Sequence, residues 1–299
     1  MEPTINYEAE LTRAGANVRG RMSRYIFLVK QYPLGALGAL IMAVLIFLAI
    51  FANVLMPYDP LATHPALSLG KPSLEHWFGS DNLGRDVLSR IILGARISIG
   101  VGVSATLLGT LFGIVIGLTG GFTGGTIDLI LQRLSEILQA IPSLILAMAM
   151  AAVLGPSVFN TILAIAITKT PVMGRVIRAN TLALRELPFI EASRAAGMRE
   201  WRIAIRHVLP NTLAPLIVLT TANLGGAILI EASLSFLGLG IPEPYPSWGK
   251  MLSTSAAEYI GTAPWLLIYP GVFISLAVFG SNLLGDALRD MLDPRRRGN

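Results

Sequence analysis

The chain has 299 residues, of which 53% are hydrophobic and only 14% charged, with 30 glycines and a net charge of +5. Ordinary soluble domains carry about a quarter of their residues charged. The deficit, with a mean hydropathy of +0.64, excludes a soluble enzyme and points to an all-α protein that crosses a membrane several times. Cysteine is absent, which excludes disulfides and thiolate metal sites.

The first 30 residues hold Arg13, Arg19, Arg21, Arg24 and Lys30 ahead of an apolar run at 34–56. At about 1.5 Å per residue that run covers a hydrocarbon core of about 30 Å. It is longer than the apolar core of a cleaved signal peptide and reads as an uncleaved anchor. Residues 57–95 then form a long outer loop whose first half is broken by prolines. In its second half Ser80 or Asp81 is placed to cap a helix, and Leu83, Val87, Leu88, Ile91 and Ile92 share a face. The expectation is an amphipathic helix lying on the membrane surface, or in a functional version an outer gate or docking surface.

Further apolar windows fall at 97–120, 127–153, 157–176, 212–236 and 266–286, giving about six spans in all. The 97–120 window contains "GTLFGIVIGLTGG", which places Gly109, Gly113, Gly117 and Gly121 on one helix face. Such a stripe lets helix backbones approach closely in lipid, where no hydrophobic drive holds spans together. Asp128, Arg133 and Glu136 open the third window, with Arg133 and Glu136 at pairing distance along a helix. Gly155-Pro156 separates the third window from the fourth, which carries Lys169. Glu231 lies in the outer half of the fifth. Facing the pore, it is a candidate pathway residue that attracts an ammonium; the favoured placement is near the interface and hydrated. A second outer loop, 237–265, is rich in proline and aromatic residues.

With about six spans, the N-terminal segment, the 177–211 loop (Arg178, Arg185, Arg194, Arg199, Arg202, Arg206) and the tail (Arg289, Arg295, Arg296, Arg297) share one side. Lys71, Arg85, Arg90, Arg96 and Lys250 fall on the other. The basic excess marks the first side as cytoplasmic, so both termini and the 177–211 loop are expected in the cytosol. The chain divides accordingly into a cytoplasmic segment 1–30, a first span with its outer loop at 31–96, a core transmembrane domain 97–288 and a cytoplasmic tail 289–299.

Within the 177–211 loop, "EASRAAGMREWRIAIRHVLPN" (191–211) is a charged run between apolar ones. Pro188 at its entry and Gly197 after its first turns punctuate a helix of about nine residues, too short to hold alone. A second helix is expected over about 199–208, ending at Pro210. Small residues on the first helix leave a thin flank that fits a groove, and the arginines suit an acidic partner surface.

This run resembles the signature loop of the permease subunits of binding-protein-dependent ABC importers: EAA, three residues, glycine, nine residues, then I-x-L-P. Glu191, Ala192, Gly197, Leu209 and Pro210 match; Ser193 replaces the third motif residue and His207 stands where the general pattern has Ile. The similarity is closer to the dipeptide/oligopeptide/nickel branch, in its second-permease (C-type) form. That branch has counterparts to "HWFGSDNLGRDVLSR" (76–90), "ASLSFLGLG" (232–240), "PSWGKML" (246–252) and "NLLGDALRDMLDP" (282–294), so the resemblance covers most of the chain from about residue 30.

The resemblance implies a type I ABC importer transmembrane fold in the bacterial cytoplasmic (inner) membrane. It implies that Glu191, Ala192, Ser193, Arg194, Gly197, Arg202, His207, Leu209 and Pro210 form the loop that docks on a cytosolic ATPase, with Gly197 as the bend. The implied partners are a homologous permease subunit in a heterodimer, two cytosolic ABC ATPases, an extracytoplasmic substrate-binding protein and membrane lipid, with no nucleic acid. No cofactor is bound by this chain; ATP and Mg belong to the ATPases. The implied cargo is a di- or oligopeptide, with glutathione-like peptides or a nickel complex as alternatives.

The residues themselves agree with a non-catalytic subunit. The three histidines, His64, His76 and His207, all fall in loops and form no H-E-x-x-H, so neither a catalytic nor a metal site is expected. No G-x-x-x-x-G-K-[ST] phosphate loop occurs, since Gly249-Lys250 is followed by Met251. The runner-up is an ion-gradient-driven secondary transporter, which would want a midplane ion site at an interrupted helix.

Overall fold

The computed structural model describes residues 29–256 and 258–292. The arginines at 13, 19, 21 and 24 and at 295–297 lie outside the described residues. Ten helices organise the described residues: α1 Pro33–Ile50, α2 Val87–Thr123, α3 Gly125–Ala140, α4 Ser143–Leu154, α5 Val158–Arg185, α6 Pro188–Ala195, α7 Glu200–Ile203, α8 Leu213–Phe236, α9 Trp248–Ala256 and α10 Trp265–Leu292. Further short helical segments, among them Ala52–Leu55, Ala204–Val208 and Leu209–Asn211, link them.

By length and composition, four of these are apolar enough to cross a membrane: α1, α2, α8 and α10. The pair α3 and α4 passes the same test jointly and is bent by 96°, so up to five spans meet the test by length and composition among the described residues. The expectation of about six included 127–153 as one straight span. It breaks instead at Ile141-Pro142, because proline lacks the N–H the helix needs and pushes the residue before it out of helical geometry. The 157–176 window lies inside α5, which is 28 residues long but diluted by Lys169 and Arg175.

The order of contacts gives the topology. Along α2 and α5 the facing residues advance together: Gly109 against Ala166, Gly113 against Met173, Gly121 against Thr181. The two helices are therefore parallel, and the bent α3–α4 pair has to carry the chain back between them. α8 runs antiparallel to both α2, with Gly102 against Ile228, and α10, with Gly225 against Ser281 and Gly285 against Ala222. α1 is antiparallel to α10, with Gly35 against Ala287 and Gly280 against Ile41. The start of α1, the ends of α2, α5 and α10, and the start of α8 thus share one end of the bundle. The loops 51–86 and 237–264 share the other.

The glycine stripe on α2 lies in this packing. A Cβ at Gly109 would come 2.9 Å from the Ala166 carbonyl, one at Gly117 2.6 Å from the Gly174 carbonyl, and one at Gly121 2.6 Å from Thr181 Cβ. At Gly113 it would overlap Met173 Cβ. Any side chain at these positions forces α2 and α5 apart.

The outer loop does not form a separate surface helix. Asp86, not Ser80 or Asp81, caps the helix, accepting the Ser89 N–H at 2.8 Å, and α2 then continues unbroken for 37 residues. Ser80 and Asp81 are engaged elsewhere: Asp81 accepts from the N–H groups of Leu83 and Arg85 and pairs with Arg85 Nε at 2.6 Å. Val87 and Ile91 are buried beneath Trp265 and Met251, so the face that looked membrane-bound is core. Arg96 closes the end of α1, donating to the orphan carbonyls of Ala49 and Ile50 at 2.9 Å each, where a cation also meets the negative end of the helix dipole.

Candidate functional site

At the end where α2 and α5 finish and α8 begins, residues 186–212 form a helical elbow. Pro188 occupies the first turn of α6, where its missing N–H costs nothing, and Glu191 and Arg194 sit at the N- and C-terminal turns that favour their charges. The helix stops at Gly197, which has φ +79°. Its N–H donates to the Arg194 carbonyl at 2.9 Å, and the Met198 N–H reaches back to Ser193 at 3.1 Å. This pair of bonds satisfies the last carbonyls and needs a left-handed residue, hence glycine. Nothing lies within 4 Å of a Cβ built at Gly197, so backbone conformation alone sets the requirement.

The second arm is helical over nearly all of its expected 199–208, but not α-helical throughout. α7 ends at Ile203, and Ala204–Val208 continue as a wider turn with i→i+5 bonds. Pro210 has no N–H to offer the Arg206 carbonyl and crowds it, and the helix widens there. Asn211 Nδ2 covers the His207 carbonyl at 2.6 Å, and Thr212 is buried at the mouth of α8.

Ile190, Ile203 and Val208 are fully buried and fasten the elbow to Leu118 and Phe122 of α2 and Leu184 of α5, with Met198 closing the cluster. This anchor is absent from the sequence-derived residue set, although the three aliphatics stand out among charged neighbours. Arg178 and Arg185 are consumed in the same joint. Arg178 holds Asp128 through two bonds of 2.6 and 2.5 Å, and Arg185 donates to the Gly121 carbonyl at 3.0 Å. Arg133 and Glu136 do pair, at 2.8 Å.

The opposite face is open. Glu191, Ala192, Ala195 and Ala196 are exposed along α6, and Arg199, Arg202 and Arg206 along the second arm. Trp201 and Ile205 are 57% and 56% exposed among them, and Arg202 stacks on Trp201 at 5.5 Å. Arg194 is held by Glu200 at 2.9 and 3.3 Å, and that hydrogen bonding raises its pKa above the ordinary arginine value. Ser193 turns inward, donating to the Phe189 carbonyl at 2.8 Å, and His207 stands edge-on to Phe189 with its Nε2 buried and unbonded. Leu209 is half-buried and Pro210 exposed. The arrangement has no catalytic geometry. It presents a rigid, cationic, partly apolar ridge, as a docking surface does.

Glu231 is placed differently from the hydrated position the sequence favoured. It is 0% exposed, its Oε1 accepts from Ser235 Oγ at 2.8 Å, and Ser98 and Ser247 lie beside it. Helix α9 covers it: Gly249 packs so tightly on Ala232 that a Cβ there would overlap the Ala232 carbonyl. Between α5, α8 and α10 a cavity of about 650 Å³ lies toward the elbow end, lined by Val176, Asn211, Leu219, Ala222, Asp286 and Arg289 among others. No group of residues able to hold a metal ion occurs among the described residues.

The family described as "Binding-protein-dependent transport system inner membrane component" matches residues 109–298. The chain is 46% identical over 269 residues to the dipeptide transport system permease protein DppC of Alkalihalophilus pseudofirmus, covering 90% of this chain and 88% of that protein. It is 46% identical over 263 residues to the glutathione transport system permease protein GsiD of Shigella flexneri, covering 87% and 86%. In fold it is similar to an inward-facing structure of the MetNI methionine ABC transporter. The TM-score there is 0.53 at 21% identity, over 68% of this chain and 96% of the other.

Proposed function

The chain belongs to the family of binding-protein-dependent transport system inner membrane components, and from that premise we propose that it carries di- or oligopeptides, glutathione among them, inward across the membrane. It is a multi-pass permease subunit of an ATP-driven importer. The energy comes from cytosolic ATPase subunits that use ATP and Mg, and the cargo from an extracytoplasmic binding protein. A homologous permease completes the path as a heterodimer.

The observation that carries this reading is the open face of the elbow. Arg199, Arg202 and Arg206 have no ion-pair partner among the described residues, and Trp201 and Ile205 stand uncovered beside them. Their underside is fixed to α2 and α5 by Ile190, Ile203 and Val208. A body docked on this face therefore pushes on two core helices at once, which is what coupling ATP-driven closure to the bundle requires. In this role Glu191, Arg202 and the Arg194–Glu200 pair supply polar contacts and Gly197 the bend. The basic excess at this end supports a cytosolic placement for it, as the positive-inside tendency has it.

Purification of the tagged chain in mild detergent, with mass spectrometry of what accompanies it, tests the assignment. Recovery of a P-loop ATPase and a second permease supports it. A chain that purifies alone and moves solute on a proton or sodium gradient in liposomes overturns it in favour of the secondary transporter.

A further inference from the structure

Lys169 is an ammonium in the middle of the bundle. At about 1.5 Å per residue it lies about 17 Å from the start of α5 and about 24 Å from its end. Its stem rests on Gly109 of α2, where a Cβ would come 2.9 Å from Lys169 Cβ. Its head reaches over Gly226 of α8, where a Cβ would come 3.1 Å from Nζ. Gly226 is itself about 20 Å from one end of α8 and about 15 Å from the other. Two helices therefore place this charge near mid-membrane by independent counts. Lys169 is half-buried, and no carboxylate pairs with it among the described residues.

A charge at that depth costs at least a few kcal/mol, and such residues face water or a pathway. Asp128 is taken by Arg178, and Glu231 is sealed beneath α9 beside Ser235. On α5, Val176 is two turns from Lys169 on the same face; on α8, Ala222 is one turn from Gly226. Both line the cavity of about 650 Å³ that lies toward the elbow. That volume is within the range of pockets for small ligands, about 300–1,000 Å³. Glycine at 226 leaves no α8 side chain at that position over the ammonium.

We propose that Lys169 is a mid-membrane station for the carboxylate of the passing substrate, reached through the space between α5 and α8. The proposal rests on the peptide reading, because every unmodified di- or oligopeptide ends in a carboxylate. A half-buried ammonium with no fixed partner binds such an anion without trapping it, and passage needs both entry and release.

The test is uptake of a radiolabelled free-acid dipeptide by the full complex, permeases, ATPases and binding protein together, in proteoliposomes. Lys169→Met keeps the length and helix preference of the side chain and removes the charge; Lys169→Arg keeps the charge. The expected result is a fall in initial uptake of about tenfold in Lys169→Met, most of it restored in Lys169→Arg, with complex yield and thermal midpoint unchanged in both. Uptake in Lys169→Met equal to the unaltered complex overturns the proposal. So does a parallel loss of complex yield and uptake in Lys169→Met that Lys169→Arg reverses, which assigns the lysine to a fixed ion pair with another subunit. Failure of the unaltered complex to import any peptide is a different result: it removes the peptide reading, and this proposal with it.

Discussion

Replacing Gly197 by alanine separates backbone strain from every other influence on the elbow. The residue has φ +79° and no atom within 4 Å of a built Cβ, so alanine meets no steric obstacle and loses no packing. What it adds is the cost of a left-handed conformation for a residue with a Cβ, about 1–2 kcal/mol. Asparagine visits that region more readily, at a lower cost. The elbow keeps its Ile190, Ile203 and Val208 anchor, so the complex still assembles. The bend between α6 and α7 loosens by a factor of about 5 to 30 in its local equilibrium. The assay is substrate-stimulated ATP hydrolysis and uptake by the reconstituted complex, taken as moles of peptide per mole of ATP. Gly197→Ala should lower that ratio several-fold, and Gly197→Asn should fall between it and the unaltered protein. An unaltered ratio in Gly197→Ala would refute the idea that the bend transmits motion. Equal losses in Gly197→Asn and Gly197→Ala would show that the left-handed conformation is not what matters.

Gly113→Val sets a branched side chain on Met173 at the tightest crossing of α2 and α5 and should destabilise the subunit by about 1–3 kcal/mol, read as a lower thermal midpoint in detergent. Ile203→Ala removes a fully buried side chain from the elbow anchor, at a cost of about 2–5 kcal/mol. Limited proteolysis should then cut between Leu187 and Thr212 while the long helices stay protected. Arg194→Ala breaks an exposed pair worth no more than about 1 kcal/mol, so the thermal midpoint should barely move. Hydrogen bonding to Glu200 raises the folded pKa of Arg194, so the arginine's side of the pair is fully charged through the neutral range and is lost only in strong alkali, as pH rises through that raised value. Raising the pH through the neutral range should therefore leave this pair's contribution unchanged. Glu231→Gln keeps the shape and one acceptor for Ser235, and peptide uptake should persist; a large loss of uptake with normal assembly would mean that Glu231 contacts cargo after all.

Much of this protein is written in short-range pattern. Apolar length and charge deficit determine that it crosses the membrane, because a bilayer leaves so few ways to satisfy the backbone. Proline at 188 and glycine at 197 mark the first arm of the elbow, because each fixes a backbone angle locally. The spacing of Glu191, Ala192, Gly197, Leu209 and Pro210 carries the family likeness by itself.

Partners distant in sequence decided the rest. Ser80, Asp81 and Asp86 are all competent caps, and only the contact of the outer loop with Trp265 and the pairing of Asp81 with Arg85 left the role to Asp86. Glu231 reads as an interfacial acid until α9 folds over it, and Lys169 reads as a flaw in a span until Gly109 and Gly226 seat it between three helices. Burial and charge pairing are properties of neighbours brought together across a hundred or more residues. A chain read one helix at a time shows where charges lie in sequence, whereas their solvation depends on which helices meet.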